Sequence, residues 1–141
     1  MNNSDKKFSI LIHEISLQVS RLFNQKVKEM GLTRSQWMVL YLLYSEGVQS
    51  QTMLAANLSI AKQPLGKVVD KLEKDGWVTR VQNKNDKREK LVAITDKVTP
   101  IVNPLSEIVE GIDQLAFASF TADERRETID KLMRVKASLM G

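Results

Sequence analysis

Lys62, Gln63, Gly66 and Lys67 share one face of a short predicted helix, opposite Leu65, Val68, Val69 and Leu72 at three- and four-residue spacing. No acid stands among the four. A glutamine amide donates and accepts at once, so Gln63 can pair with both edge atoms of an adenine, while lysines suit guanine or phosphate. Pro64, in the first turn, offers only apolar contact, for instance to a thymine methyl. Further on, the run from Arg80 to Lys90 carries five bases against two acids. Its Lys84, Lys87 and Lys90 have the charge to hold phosphates, giving affinity without sequence information.

Other chemistries find few residues. The 141-residue chain has no cysteine and one histidine, His13. Disulfides, thiolate metal sites and cysteine nucleophiles are thereby excluded, and a protein-built transition-metal site is not expected. A Ser-His-Asp set cannot be assembled around one histidine remote from the loops. No phosphate-binding glycine loop or other cofactor motif occurs, so neither an enzyme nor a cofactor is expected.

Net charge is +4, and its location carries the information. Residues 60–90 hold nine Lys/Arg and five Asp/Glu, and the other 110 residues hold twelve of each. A basic patch can face nucleic acid, an anionic membrane or an acidic protein. The run lacks the apolar face that membrane-surface binding needs, and no apolar run approaches the roughly 20 residues of a spanning helix. The N-terminal MNNSDKKF has no apolar segment of the secretory kind. The expected location is the cytoplasm.

The elements that must position these residues follow in order. An apolar stripe (Phe8, Leu11, Ile12, Ile15, Val19, Leu22, Phe23, Val27) predicts a long helix from Phe8 to about Met30, stopped by Gly31. Thr33 and Gln36 form a capping box for the next helix, with Leu32 and Trp37 as its hydrophobic staple. That helix runs through Val39, Leu40, Leu43 and Tyr44 to Gly47. Ser50 caps a short third helix, QTMLAANL, whose expected buried side is Met53, Leu54 and Leu58. The Ile60 helix follows within two or three residues, which is a helix-turn-helix pattern; Gly76 stops it. Thr79–Gln82 and Leu91–Ile94 read as strands around the turn NKND. The helix after Thr95 either begins near Thr99 and is kinked at Pro104, or begins only after Pro104. Thr121 and Glu124 cap a last helix bearing Ile129, Leu132, Val135 or Met133, and Leu139. The expected fold is mainly α with a small two- or three-stranded β wing.

LAANLSIAKQPLGKVVDKLEKDGWVTR, DKREK and LTRSQWMVL together resemble the MarR family of winged helix-turn-helix regulators, over nearly the whole chain. Gln63-Pro64 and Trp37 look most like its SlyA branch. The resemblance implies one domain over 1–141, with a DNA-binding lobe at 32–98 and dimerisation helices at 6–30 and 99–141. It implies a homodimer on palindromic double-stranded DNA, with Lys62, Gln63, Pro64 and Lys67 in the major groove. Arg88 matches the wing arginine that enters the minor groove, and Asp86 the partner that steadies it. Two places depart from the family's pattern: Ala61, Gln63 and Pro64 stand where Ser or Thr is usual, and TDKV follows the wing.

Many relatives take aromatic anions between lobe and dimer helices, which makes Trp37, Tyr41 and Tyr44 candidate pocket residues, with His13 and Arg21 beside them. Plainer readings exist: Trp37 as a core staple, His13 as a surface or dimer-face residue, Arg21 in a solvated ion pair. Gly66 could let the helix backbone approach DNA closely, against a tolerated glycine. A non-catalytic dimeric adaptor binding an acidic protein through the basic stretch is the alternative function.

Overall fold

A computed structural model describes residues 6–141; the segment MNNSD, included in the reading of the N-terminus above, lies outside the described residues. The chain order is α1 (Phe8–Val27), α2 (Arg34–Glu46), β1 (Gln49–Ser50), α3 (Gln51–Leu58), α4 (Lys62–Lys74), β2 (Val78–Gln82), β3 (Lys90–Ile94), α5 (Thr99–Ala116) and α6 (Ala122–Met140). The chain clusters into two compact units, one ending at Val109 and the other Glu110–Gly141.

Local signals set most boundaries. The last turn of α1 tightens into a 3-10 turn at Lys28–Met30, and Gly31 then takes φ +73°, a left-handed position that favours glycine. The Thr33–Gln36 capping box forms in both directions: Thr33 Oγ1 accepts from the Gln36 amide and Gln36 Oε1 from the Thr33 amide. Leu32 and Trp37 on either side of it are buried, as a hydrophobic staple requires. Ser50 Oγ accepts from the Met53 amide at 3.1 Å and starts α3. The same device, Thr121 with Glu124, opens α6 in the second unit.

The first unit closes around fully buried Val27, Val39, Leu40, Leu54, Leu65, Val69, Leu72, Val92 and Leu105. Leu65, Val69 and Leu72 are the inward face of α4; Val68 is half-buried beside them. Met53 does not join Leu54 as expected and is 55% exposed. With only eight residues, α3 turns Leu54 and Ala55 inward, which leaves Met53 on the outer side.

The sheet is antiparallel in the order β1-β3-β2, with Val78 opposite Ile94 and Gln82 opposite Lys90. The two residues of β1 pair with Leu91 and Val92. The hairpin is thus held along β3 by the residues that lead into the helix-turn-helix, and each strand starts one residue earlier than its sequence pattern predicts. After it, Thr95 Oγ1 accepts from the Lys97 amide, and a 3-10 turn at Asp96–Val98 runs directly into α5. This settles the choice left open at the prolines: α5 starts at Thr99 and contains Pro104. It ends at Ala116, and Phe117 and Phe120 meet edge-on in the turn before α6.

Candidate nucleic-acid interface

Three of the four residues on the polar face of α4 come out of the fold on the surface. Lys62, Gln63, Pro64 and Lys67 are exposed, and Gly66 is half-buried. The missing side chain of Gly66 faces the protein: a Cβ there would lie 3.8 Å from Gln51 Nε2, on α3. The open space at this glycine is therefore on the α3 side, and its carbonyl accepts a 3.4 Å contact from Arg80.

Pairing within the lobe decides which charges face outward. Arg80 bonds Asp70 at 2.7 Å and Glu73 at 3.1 Å, Lys71 bonds Asp75 at 3.3 Å, and Arg88 bonds Asp86 at 3.3 Å. These interactions neutralise four of the five acids between residues 60 and 90. Lys62, Lys67, Lys84, Lys87 and Lys90 make no ion pair among the described residues. The surplus positive charge is thereby concentrated on the α4 face and the hairpin. Counterion release on meeting a polyanion needs such uncommitted cations.

The hairpin tip is shaped by its own short polar residues. Asn83 Oδ1 accepts from the Asn85 amide at 2.9 Å, and Asp86 Oδ1 from the Arg88 amide at 3.0 Å, turns that Asn and Asp make with their own backbone. The same Asp86 oxygen accepts from Arg88 Nε. The Arg88 side chain is otherwise in solvent, 92% exposed. Asp86 aims it rather than burying it. Below the tip, Gln51, Thr52, Asp86, Arg88, Glu89 and Lys90 line an open cleft of about 610 Å³ between the wing and the start of α3.

Arg80, which the sequence marks only as one of the five bases of the run to Lys90, has a structural role that its spacing does not reveal. Its side chain is 14% exposed and reaches α3 and α4 from β2. Nε donates to Gln51 Oε1 of α3 at 2.6 Å and Nη1 to Glu73 of α4, Nη2 forms an ion pair with Asp70 of α4, and the backbone amide donates to Glu73 Oε2. The trace it leaves in the sequence is a pair of acids, three apart, on the polar side of α4. Lys97 likewise ties the wing's exit to α4: Nζ donates to the Asp75 carbonyl at 2.6 Å and sits 4.2 Å from the Trp77 ring centre.

The aromatic residues considered for a pocket are partly brought together. Trp37 is buried, stacks on Tyr41 at 5.6 Å and tilts against Phe23 at 4.7 Å. His13 and Arg21 are exposed on α1 and make no hydrogen bond or ion pair with this group among the described residues. Its cation is Arg34, which lies over the Phe23 ring and donates to Ser20 Oγ at 2.6 Å. Tyr44 is exposed and lines a separate cleft of about 280 Å³ with Ile94, Val98 and Val102.

Two packed helices with a hairpin closing against the first define a winged helix-turn-helix lobe. The sequence profile of the MarR family matches residues 32–90. The HTH-type transcriptional regulator YwoH of Bacillus subtilis is 33% identical over 129 residues, 89% of this chain and 92% of that one. Two solved structures share the fold closely. A mutant MarR from E. coli, complexed with operator DNA, superposes with a TM-score of 0.81 at 29% identity, over 90% of this chain and 91% of that one. A MarR family regulator from Listeria monocytogenes, complexed with a 26mer DNA, gives 0.90 at 26% identity, over 95% and 89%. The chain belongs to the MarR family of winged-helix transcriptional regulators.

Proposed function

We propose that this protein is a homodimeric, sequence-specific regulator that places α4 in the major groove of a palindromic operator and Arg88 in the adjacent minor groove. The observation that carries the reading is the division of charge. The acids of α4 are each paired with a cation of the same lobe, while Lys62, Lys67 and the hairpin lysines stay unpaired among the described residues and Arg88 is held outward by Asp86. Gln63, Pro64, Lys62 and Lys67 are the proposed major-groove contacts, and Lys84, Lys87 and Lys90 the phosphate contacts. A guanidinium in a narrow minor groove is favoured by the negative potential there. The complexes of the E. coli and Listeria relatives with DNA support the same partner.

Dimerisation through residues 6–30 and 99–141 is supported by the apolar surface those helices leave uncovered. Phe8, Leu11 and Ile15 on α1, and Leu132, Met133 and Leu139 on α6, are each at least 40% exposed. We assign residues 32–98 as the DNA-binding lobe of a single domain over 1–141. Gln63-Pro64 and Trp37 support a place near the SlyA branch. A non-catalytic role in the cytoplasm fits this reading, and no described helix is long and apolar enough to cross a membrane.

An aromatic anion is the proposed effector. Among the described residues, Trp37 Nε1 and Arg34 Nε are buried donors without a partner, and such groups are costly unless something accepts from them. Trp37 and Tyr41 supply the stacking surface, with His13 and Arg21 as outer candidates. Trp37→Phe should abolish release of operator by aromatic carboxylates; unchanged release would remove Trp37 from the effector site.

Titration of the protein into a duplex from upstream of its own gene and into a scrambled duplex, at several salt concentrations, tests the function. Preferential, salt-steep binding at two chains per site is expected, because counterion release and groove readout then act together. Absence of binding at low salt would overturn it and favour an acidic protein as the partner.

A further inference from the structure

We propose that Arg80 is a positioning residue that fixes the angle between the recognition helix and the wing, so that both readers fit one half-site together. The inference rests on the DNA-binding reading above. One guanidinium joins three elements of the lobe. Arg80 lies on β2, the first wing strand; it donates to Gln51 on α3 and to Glu73 and the Gly66 carbonyl on α4, and it forms an ion pair with Asp70 on α4. Three acceptors and one ion-pair partner take up most of its five guanidinium donors, and at 14% exposure it has little surface to offer DNA.

The planar fork makes this geometry rigid. Each acceptor lies in a direction the guanidinium sets, so rotation of β2 against α4 breaks several charged hydrogen bonds together. A lysine at the same place has a point charge on a flexible stem and cannot hold α3 and both acids in one plane. Glu73 strengthens the tie by accepting from the Arg80 backbone amide as well as its side chain, 3.1 Å in each case. The first wing strand is therefore joined to the recognition helix through main chain and side chain at the same residue.

Consequences for binding follow from rigid placement. Two readers on one frame engage a half-site with little further loss of freedom; two readers that swing independently must be ordered on the DNA. Removing the fork also leaves Asp70 and Glu73 unpaired on the helix that meets the phosphates, where negative charge opposes binding.

The test is a double-mutant cycle between Arg80→Met and Arg88→Ala, read as affinity for the duplex that the wild-type protein itself selects from a randomised pool. Thermal unfolding is measured on every variant. Arg80→Met is expected to weaken binding about tenfold or more while the protein stays folded and dimeric. In that background Arg88→Ala should cost about fivefold less than in the wild type, because a wing already mis-set has less to lose. Arg80→Lys should fall between wild type and Arg80→Met, and it carries the cycle if Arg80→Met does not fold. Additive losses, or a lowered Tm with unchanged affinity, would make Arg80 merely stabilising and overturn the inference while leaving the function intact. If the wild type selects no duplex, the function fails, and this inference with it.

Discussion

Replacing Arg88 with alanine separates binding from folding more cleanly than any other single change. The side chain is 92% exposed, and its partner among the described residues is Asp86 on the same turn. Asp86 still accepts from the residue-88 backbone amide after the change, so the turn keeps its shape. Surface substitutions of this kind stay within about 0.5 kcal/mol, and Tm should move by no more than about 3 °C. Binding should respond very differently. A hydrogen bond to a charged group is worth about 1.5 kcal/mol at its lower end. A palindromic site engages two wings, so the loss is about 3 kcal/mol, or roughly a hundredfold in Kd. If Arg88 also neutralises one phosphate per wing, the slope of log K against log salt should fall by about 0.9 for each. Fluorescence anisotropy with a labelled operator across a salt series reads both quantities, and scanning calorimetry reads the fold. Unchanged operator affinity would remove the wing from the mechanism. A large drop in Tm would mean that the tip holds the lobe together in a way its exposure does not suggest.

Ser50→Ala removes the cap of α3 at a buried position, and a stability loss of about 1 kcal/mol, near 4 °C in Tm, is expected from thermal unfolding. Gly76→Ala meets no obstacle nearer than Lys97 Cδ at 4.0 Å, so its cost should be that of φ +83° alone, about 1–2 kcal/mol by denaturant titration. Gly66→Ala places its Cβ in ordinary contact with Gln51 and gains up to about 1 kcal/mol of helix propensity. It should raise Tm and leave operator affinity unchanged; a weakened affinity would restore the reading that DNA approaches this glycine's backbone.

What the sequence determined by itself is the set of features that act over a few residues. The Thr33 and Thr121 capping boxes, the Ser50 cap, the left-handed stops at Gly31 and Gly76 and the inward stripe of α4 all have their partners close by in the chain, and each formed. The Asp86–Arg88 contact is local in the same sense, which is why a short motif identified it. Partnerships between distant residues were decided only by tertiary structure. Arg80 meets Gln51 across 29 positions, and Arg34 meets Ser20 across 14; Gln49 finds Val92 only once the hairpin has folded. Met53 shows the same limit from the other side, since which face of so short a helix turns inward depends on what packs over it. Charge count obeyed this division too. Composition placed the excess of bases between residues 60 and 90, but only the fold committed Arg80 to partners on α3 and α4 and left the lysines unpaired, because a hydrogen-bonded ion pair needs atoms within about 3 Å, a separation that sequence distance does not encode.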